Sequence, residues 1–277
     1  MQQAWQKTVY LYNHFLNTAC FARAASLAFT TILAIVPLMV ISFSVISLFP
    51  SSETLQYEIQ NFIFSNFVAS SGKIIQEYLS LFVARVHELS LFSTIFLMVT
   101  AITMLFSIES CLNAIWGVQN QRFWVRAIIF YLLILLIAPI LITFSLVLTF
   151  FFTGLLHHSI QLLSLPAEVM IKMFPMILSF IGYLLIYKMM PNCYVPWRIA
   201  VLSAVISAGL FEFSKSIFGW YLKAFPTYKI IYGAIAAFPI FLIWVYICWL
   251  IFVIGAVIGF GFSEREKKLE QVISALK

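Results

Sequence analysis

Long apolar runs fill most of this chain, and short polar stretches divide them. Six runs, at about 24–49, 91–115, 127–153, 170–190, 199–220 and 240–260, each approach or exceed the length needed to cross a bilayer. A hydrocarbon core of ~30 Å takes about 20 helical residues. In lipid every backbone N–H and C=O needs a partner within the protein, so each run is read as a helix. Pro37, Pro139 and Pro175 fall inside three of them, and Pro37 is expected to kink the first. Two further stretches carry a helical stripe without being apolar throughout. In residues 1–23, Trp5, Tyr12, Phe15 and Leu16 recur at near-helical spacing, which predicts an amphipathic helix lying in the inner interface with Trp5 and Lys7 at headgroup level. In residues 51–90, Glu53, Glu58, Lys73, Glu77, Arg85 and Glu88 are spread among two apolar stripes. One stripe is Leu55, Ile59, Phe62 and Ile63; the other includes Ile74, Tyr78, Phe82 and Val86, and Ser70-Ser71-Gly72 separates them. This predicts a helical hairpin outside the membrane, after the first span.

The last run needs length arithmetic. Residues 230–260 as one helix would reach ~46 Å, well beyond the hydrocarbon core. Pro239 stands where a division is needed, so 240–260 is taken as the span and 225–238 as a short interfacial or re-entrant segment. Pro226, Tyr228, Tyr232, Gly233 and Pro239 mark it as a candidate hinge. The fold expected is all-α: an interfacial helix at 1–23, a six-span polytopic membrane domain at 24–262, and a charged helical tail at 263–277.

Composition agrees with this pattern. Hydrophobic residues make up 63% and charged residues 9%, against about 25% charged in soluble domains. The net charge of +6 is sorted between loops rather than gathered on one face, so it implies orientation and not nucleic-acid binding. With both termini inside, ten basic residues face inward (Lys7, Arg23, Arg122, Arg126, Lys188, Arg198, Arg265, Lys267, Lys268, Lys277) and five outward (Lys73, Arg85, Lys172, Lys223, Lys229). Trp116, Trp124 and Trp197 stand beside the inner arginines, as an interface belt would. Tyr10, Asn13, His14 and Asn17 interrupt any apolar signal-peptide core. The four cysteines are far apart, form no CxxC and are read as apolar packers.

Ionisable residues inside spans are the candidate chemistry, since each costs about 2.5–3.5 kcal/mol to insert. Glu212 and Lys215 are three apart on the fifth run and share a helix face in the outer half of the membrane. They are read either as a local ion pair, with Lys215 snorkelling outward, or as a substrate or proton site. Glu109 lies on the second run about 10 Å from its inner end, with Asn113 one turn below. It is read either as bonded to neighbouring helices or paired with Arg23 or Arg126, or as part of an inner polar relay. Gly255 and Gly259 form a GxxxG, and Ser203/Ser207 and Ala204/Ala208 repeat the spacing, which signals close helix packing within the bundle or between protomers of a homo-oligomer. His14, His87, His157 and His158 form no HxxxH or HExxH, and the chain has no Asp, P-loop or GxSxG. No catalytic residue, metal or cofactor is expected.

These residues carry a resemblance. The chain resembles the YihY/BrkB family of bacterial inner-membrane proteins from about Ala24 to Gly259. The resemblance rests on Ser26-Leu27-Ala28-Phe29 with Val36-Pro37-Leu38, Phe62-Ile63-Phe64-Ser65-Asn66-Phe67, Ser107-Ile108-Glu109-Ser110 with Leu112-Asn113-Ala114-Ile115-Trp116, and Phe211-Glu212 with Lys215. Phe225-Pro226 with Tyr228, Ile231-Tyr232-Gly233, and Pro239 with Trp244-Val245-Tyr246 complete it. It implies a six-span inner-membrane fold of unsettled function. The family once bore the label of a tRNA-processing ribonuclease, its members have been tied to serum resistance, and one branch to export of a lipid A precursor. It also implies an acidic residue after the Gly-Ala of the last span, where this chain has Val257.

The function expected is transport or translocation of a lipid or small molecule across the inner membrane, with membrane lipids as partners and no enzymatic activity. A scaffold for envelope assembly, docking a partner through 51–90, is the alternative, and ribonuclease activity ranks behind both.

Overall fold

A computed structural model describes residues 2–46, 91–118, 122–137, 167–224 and 237–275, and all regular structure among them is α-helical. The helices are α1 (Gln2–Asn17), α2 (Cys20–Ile46), α3 (Leu91–Ile115), α4 (Trp124–Ile137), α5 (Ala167–Met189), α6 (Trp197–Ala224) and α7 (Ala237–Ala275). Ile95–Ile115, Trp197–Tyr221 and Phe238–Ser263 are each long and apolar enough to cross a membrane. The bent pair Val9–Asn17 and Cys20–Ile35 makes a fourth if it is counted as one span. The hairpin expected at 51–90 and the hinge residues Pro226, Tyr228, Tyr232 and Gly233 lie outside the described residues.

Helix ends follow local chemistry. α1 and α2 meet at 51°. The break is at Thr18-Ala19, ahead of the boundary expected at 23: Ala19 takes φ 52°, its N–H bonds Leu16 O at 2.9 Å, and Thr18 Oγ1 donates to His14 O at 2.7 Å. The helix resumes at once, with Arg23 N donating to Ala19 O and Arg23 Nε to Thr18 O. α3 ends in a Schellman motif: Val118 N bonds Asn113 O, Gly117 N bonds Ala114 O, and Gly117 supplies the left-handed φ of 66°. Pro239 lies in the first turn of α7, where its missing N–H costs no intrahelical bond. From there α7 runs without interruption into the charged tail. Its 39 residues make ~58 Å, so span and tail are one helix that outruns the membrane.

The core has two parts that share α7. Cys20, Ala24 and Leu27 of α2 pack with Leu105, Ile108 and Leu112 of α3 and with Phe252, Val253, Ala256 and Val257 of α7. Trp249 Nε1 donates to Thr31 Oγ1 at 2.8 Å across the α2–α7 contact. On the other side of α7, α6 lies antiparallel. A Cβ on Gly255 would collide with Ser207 Oγ, and one on Gly259 with Ser203 Oγ. Small residues thus let the two backbones approach. The GxxxG of α7 is occupied by the SxxxS of α6 in the same chain. Farther along, Phe211 and Phe218 of α6 pack with Trp244 of α7.

Phe29, Leu33, Phe96, Val99, Phe213 and Ile217 point outward, as lipid-facing side chains would. Trp124, Tyr194 and Trp197 are exposed at one end of the bundle, and Trp220 at the other. Trp197 and Trp220 begin and nearly end the crossing of α6, ~34 Å apart along the helix, close to the hydrocarbon thickness plus its aromatic borders.

Candidate functional site

Glu109 sits on the core-facing side of α3 between Ile108 and Leu112, and is 4% exposed. A carboxylate there costs several kcal/mol unless it is paired and hydrogen-bonded. Three groups supply this. Tyr131 OH of α4 donates to Oε2 at 2.9 Å. Arg122 Nε faces Oε1 at 3.9 Å, its guanidinium lying over the Phe130 ring at 4.1 Å. Asn113 Nδ2 reaches Oε1 at 3.5 Å, the weakest of the three contacts. Asn113 is held in turn, because its Oδ1 accepts the Asn192 N–H at 2.7 Å. That bond ties α3 to the segment joining α5 and α6.

Of the two readings of Glu109 as a structural group, the bond to a neighbouring helix is present, from Tyr131, while the charged partner is Arg122 rather than Arg23 or Arg126. The guanidinium of Arg23 is engaged with the carbonyl of Thr18. Arg122, read from the sequence only as an orientation charge, lies just past the Schellman turn of α3 and just before α4, where it meets Glu109 as Tyr131 does. The same end of α3 is closed by His14 of α1, whose Nε2 lies 3.0 Å from Ile115 O and must carry the proton to donate to a carbonyl. His14 stacks on Phe260 of α7, centroids 4.4 Å apart.

The second polar level is on α6. Lys215 Nζ lies 2.6 Å from Glu212 Oε1, with the two side chains 20% and 31% exposed. Oε1 is buried, and among the described residues the Lys215 ammonium is its charged partner. Side chains on a helix lean toward its N-terminus. Lys215 follows that direction back to Glu212 instead of extending toward the far surface, and its Nζ also lies 5.1 Å from the Phe211 ring centre.

Between the levels is a buried hydroxyl bridge. Tyr187 OH of α5 donates to Phe252 O of α7 at 2.6 Å. Its single proton is used there, so Ser207 Oγ of α6 is the donor in the 2.7 Å contact between the two hydroxyls. Tyr183 lies between this bridge and the upper pair, stacked on Tyr187 and edge-on to Phe211.

The structure brings Glu109 together with Asn113, and Glu212 with Lys215, but does not join the two pairs. Glu109 is ~9 Å from the end of α3, and Glu212 ~22 Å from the start of α6. Those helix ends share a face, since Trp116 packs against Val195, Ile199 and Ala200. Val257, where the resemblance implies an acid, is 3% exposed and packs among apolar residues. Tyr131, Tyr187 and Arg122 were not singled out from sequence. The i, i+4 spacing of Tyr183 and Tyr187 in an apolar run is the signal that was available for one of them. Among the described residues no three side chains of His, Cys or Glu gather as a metal ion would need.

A family described as virulence factor BrkB matches residues 11–274. A UPF0761 membrane protein of Legionella pneumophila (strain Corby) is 38% identical over 266 residues, 94% of this chain and 62% of its own. A UPF0761 membrane protein of Pseudomonas aeruginosa (strain LESB58) is 38% identical over 273 residues, 96% of this chain and 66% of its own. One of Azotobacter vinelandii (strain DJ) is 38% identical over 247 residues, with 89% and 60% covered. The chain thus spans about three fifths to two thirds of the length of these curated relatives. No solved structure matches.

Proposed function

The chain belongs to the BrkB family of membrane proteins, and on that premise we propose that it moves a lipid or a small polar molecule across the bacterial inner membrane. The observation that carries this reading is the placement of charge. An otherwise apolar bundle keeps a buried carboxylate at one level, held by Tyr131 and Arg122, and a partly accessible ion pair at another. Such groups are costly in a membrane, which makes each a functional-site candidate by default. The buried Tyr187 hydroxyl, bonded to Phe252 O and Ser207 Oγ between the two levels, also supports the reading.

The reading includes six spans with an extracytoplasmic helical hairpin after the first, and both termini in the cytoplasm. The inward excess of Lys and Arg supports that orientation.

The test is reconstitution of the purified protein into proteoliposomes, scored by lipid scrambling and by counterflow of a panel of small solutes. Activity above empty vesicles is expected, with roughly tenfold losses in Glu109→Gln and Glu212→Gln. Folded protein that moves nothing across the panel would overturn the proposal.

A further inference from the structure

The flank of α6 that carries the ion pair opens toward the Trp220 end. Ala208, Glu212, Lys215 and Gly219 follow one another at spacings of four, three and four residues and so share one side of the helix. Ala208 is buried. Glu212 and Lys215 are partly exposed, and among the described residues a Cβ added to Gly219 would meet nothing within 4 Å. Phe211 floors this opening beside Lys215, and Tyr183 of α5 stands edge-on to Phe211 with centroids 6.3 Å apart.

Two features limit what fits. The first is that the site holds one charge of each sign. An anion alone would draw Lys215 away and leave the carboxylate unmatched; a cation alone would do the same to the ammonium. Either leaves a partly buried charge without its partner, which is strongly unfavourable. The second is that Glu212 Oε1 is buried and, among the described residues, is reached by the primary ammonium of Lys215 at 2.6 Å, so whatever replaces Lys215 there must offer N–H donors in its turn. A primary ammonium brings three N–H donors; a trimethylammonium brings none.

We propose that this flank binds a zwitterionic headgroup in which a primary ammonium neighbours a phosphate. The ligand ammonium replaces Lys215 Nζ at Glu212 Oε1, on the face of Phe211. Lys215 then takes the phosphate and extends toward the Trp220 level, ~7.5 Å farther along the helix. This rests on the translocation reading for its biological sense, but not for its chemistry. An intact phospholipid and a water-soluble glycerophospho compound present the same groups.

The test is native mass spectrometry of the full chain in mild detergent, titrated with phosphatidylethanolamine, phosphatidylcholine and phosphatidylglycerol of matched acyl chains. Phosphatidylethanolamine is expected to be retained roughly tenfold over the other two, and Glu212→Gln and Lys215→Gln are each expected to abolish that preference. Gly219→Leu keeps both charges, favours the helix and fills the opening, so it should lower occupancy even if a charge variant fails to fold. Equal retention of phosphatidylethanolamine and phosphatidylcholine would overturn the assignment. So would phosphatidylglycerol binding best, or a preference that survives all three substitutions. Competition by glycerophosphoethanolamine would assign the site to the free headgroup compound, and its failure to compete to the intact lipid; both keep the zwitterion. Loss of the binding preference with proteoliposome activity intact removes this inference alone, whereas binding without movement removes the translocation reading alone.

Discussion

Glu109 shows how a single side chain can be expensive and still be retained. Its carboxylate is 4% exposed, yet it accepts from Tyr131 at 2.9 Å and faces Arg122 at 3.9 Å. Removing the carboxyl and removing its charge are therefore different experiments. Glu109→Leu leaves the Tyr131 hydroxyl, the Asn113 amide and the Arg122 guanidinium without their acceptor, and each buried orphan costs about 1–3 kcal/mol. Glu109→Gln keeps an acceptor oxygen for Tyr131 but puts an amide NH2 where Oε1 accepted from Asn113 and faced Arg122, so it loses those two longer contacts. Thermal unfolding in detergent should rank the variants wild type, Gln, Leu, with the Leu variant lower by several degrees. Equal melting of Gln and Leu would show that the hydrogen bonds contribute nothing and that charge alone matters. Tyr131→Phe is the complementary change: it deletes the donor, leaves a carboxylate with poorer company, and should destabilise by about 1–2 kcal/mol.

At the scale of helices, the decisive contact is α6 against α7. Gly259 faces Ser203, and the atoms nearest an added Cβ beyond Ser203 Oγ lie at 3.4 Å, ordinary van der Waals distance. The serine hydroxyl is thus the single obstacle. Gly259→Ala should destabilise by about 1–3 kcal/mol through overpacking. Ser203→Ala in the same chain should restore most of that loss, giving a coupling of about 1–2 kcal/mol in a double-mutant cycle read by thermal unfolding. Gly209→Ala is the control: among the described residues a Cβ there meets nothing within 4 Å, so the change should be neutral or stabilising, by up to about 1 kcal/mol. Additive effects of the Gly259 and Ser203 changes would show that the helices do not meet there. The spacing of these small residues was legible in the sequence because it is a property of one helix at a time. That GxxxG and SxxxS face each other is a long-range fact, which sequence spacing leaves open between a partner helix and a partner protomer. The ion pair of Glu212 was likewise legible, since i and i+3 are neighbours on any helix. The partner of Glu109 was not, because Arg122 arrives through a Schellman turn and competes with Arg23 and Arg126 for the same role on charge alone. The break between α1 and α2 also escaped, since its left-handed residue is Ala19, which carries no glycine or proline signal.

For the whole molecule, the question is which helix ends share a side of the membrane. His14 near the end of α1 contacts the last residue of α3, Phe260 of α7 stacks on His14, and Gly261 lies against Leu11. Trp116 after α3 packs against the start of α6. The end of α1, the C-terminal ends of α3 and the membrane part of α7, and the N-terminal end of α6 therefore gather on one face. On the proposed six-span reading the chain enters α2 from that face and comes back to it in α3 and again in α7, an even number of crossings. On the orientation proposed from the arginine and lysine bias, that face is the cytoplasmic one. Reporter fusions test the arrangement directly. A fluorescent protein that matures only in the cytoplasm should be bright after Gln119 and after Lys277, whereas alkaline phosphatase, active only outside it, should be active after Ser71, His158 and Thr227. Phosphatase activity at Gln119 or Lys277 would invert the orientation. Fluorescence at Ser71 would remove the extracytoplasmic hairpin but leave the gathered helix ends in place, and an even count would then have to be reached without a crossing between Cys20 and Ser71. Moving Lys73 and Arg85 inward would raise the inward excess of basic residues rather than lower it, so the hairpin's side can fail while the orientation argued from the charge bias stands.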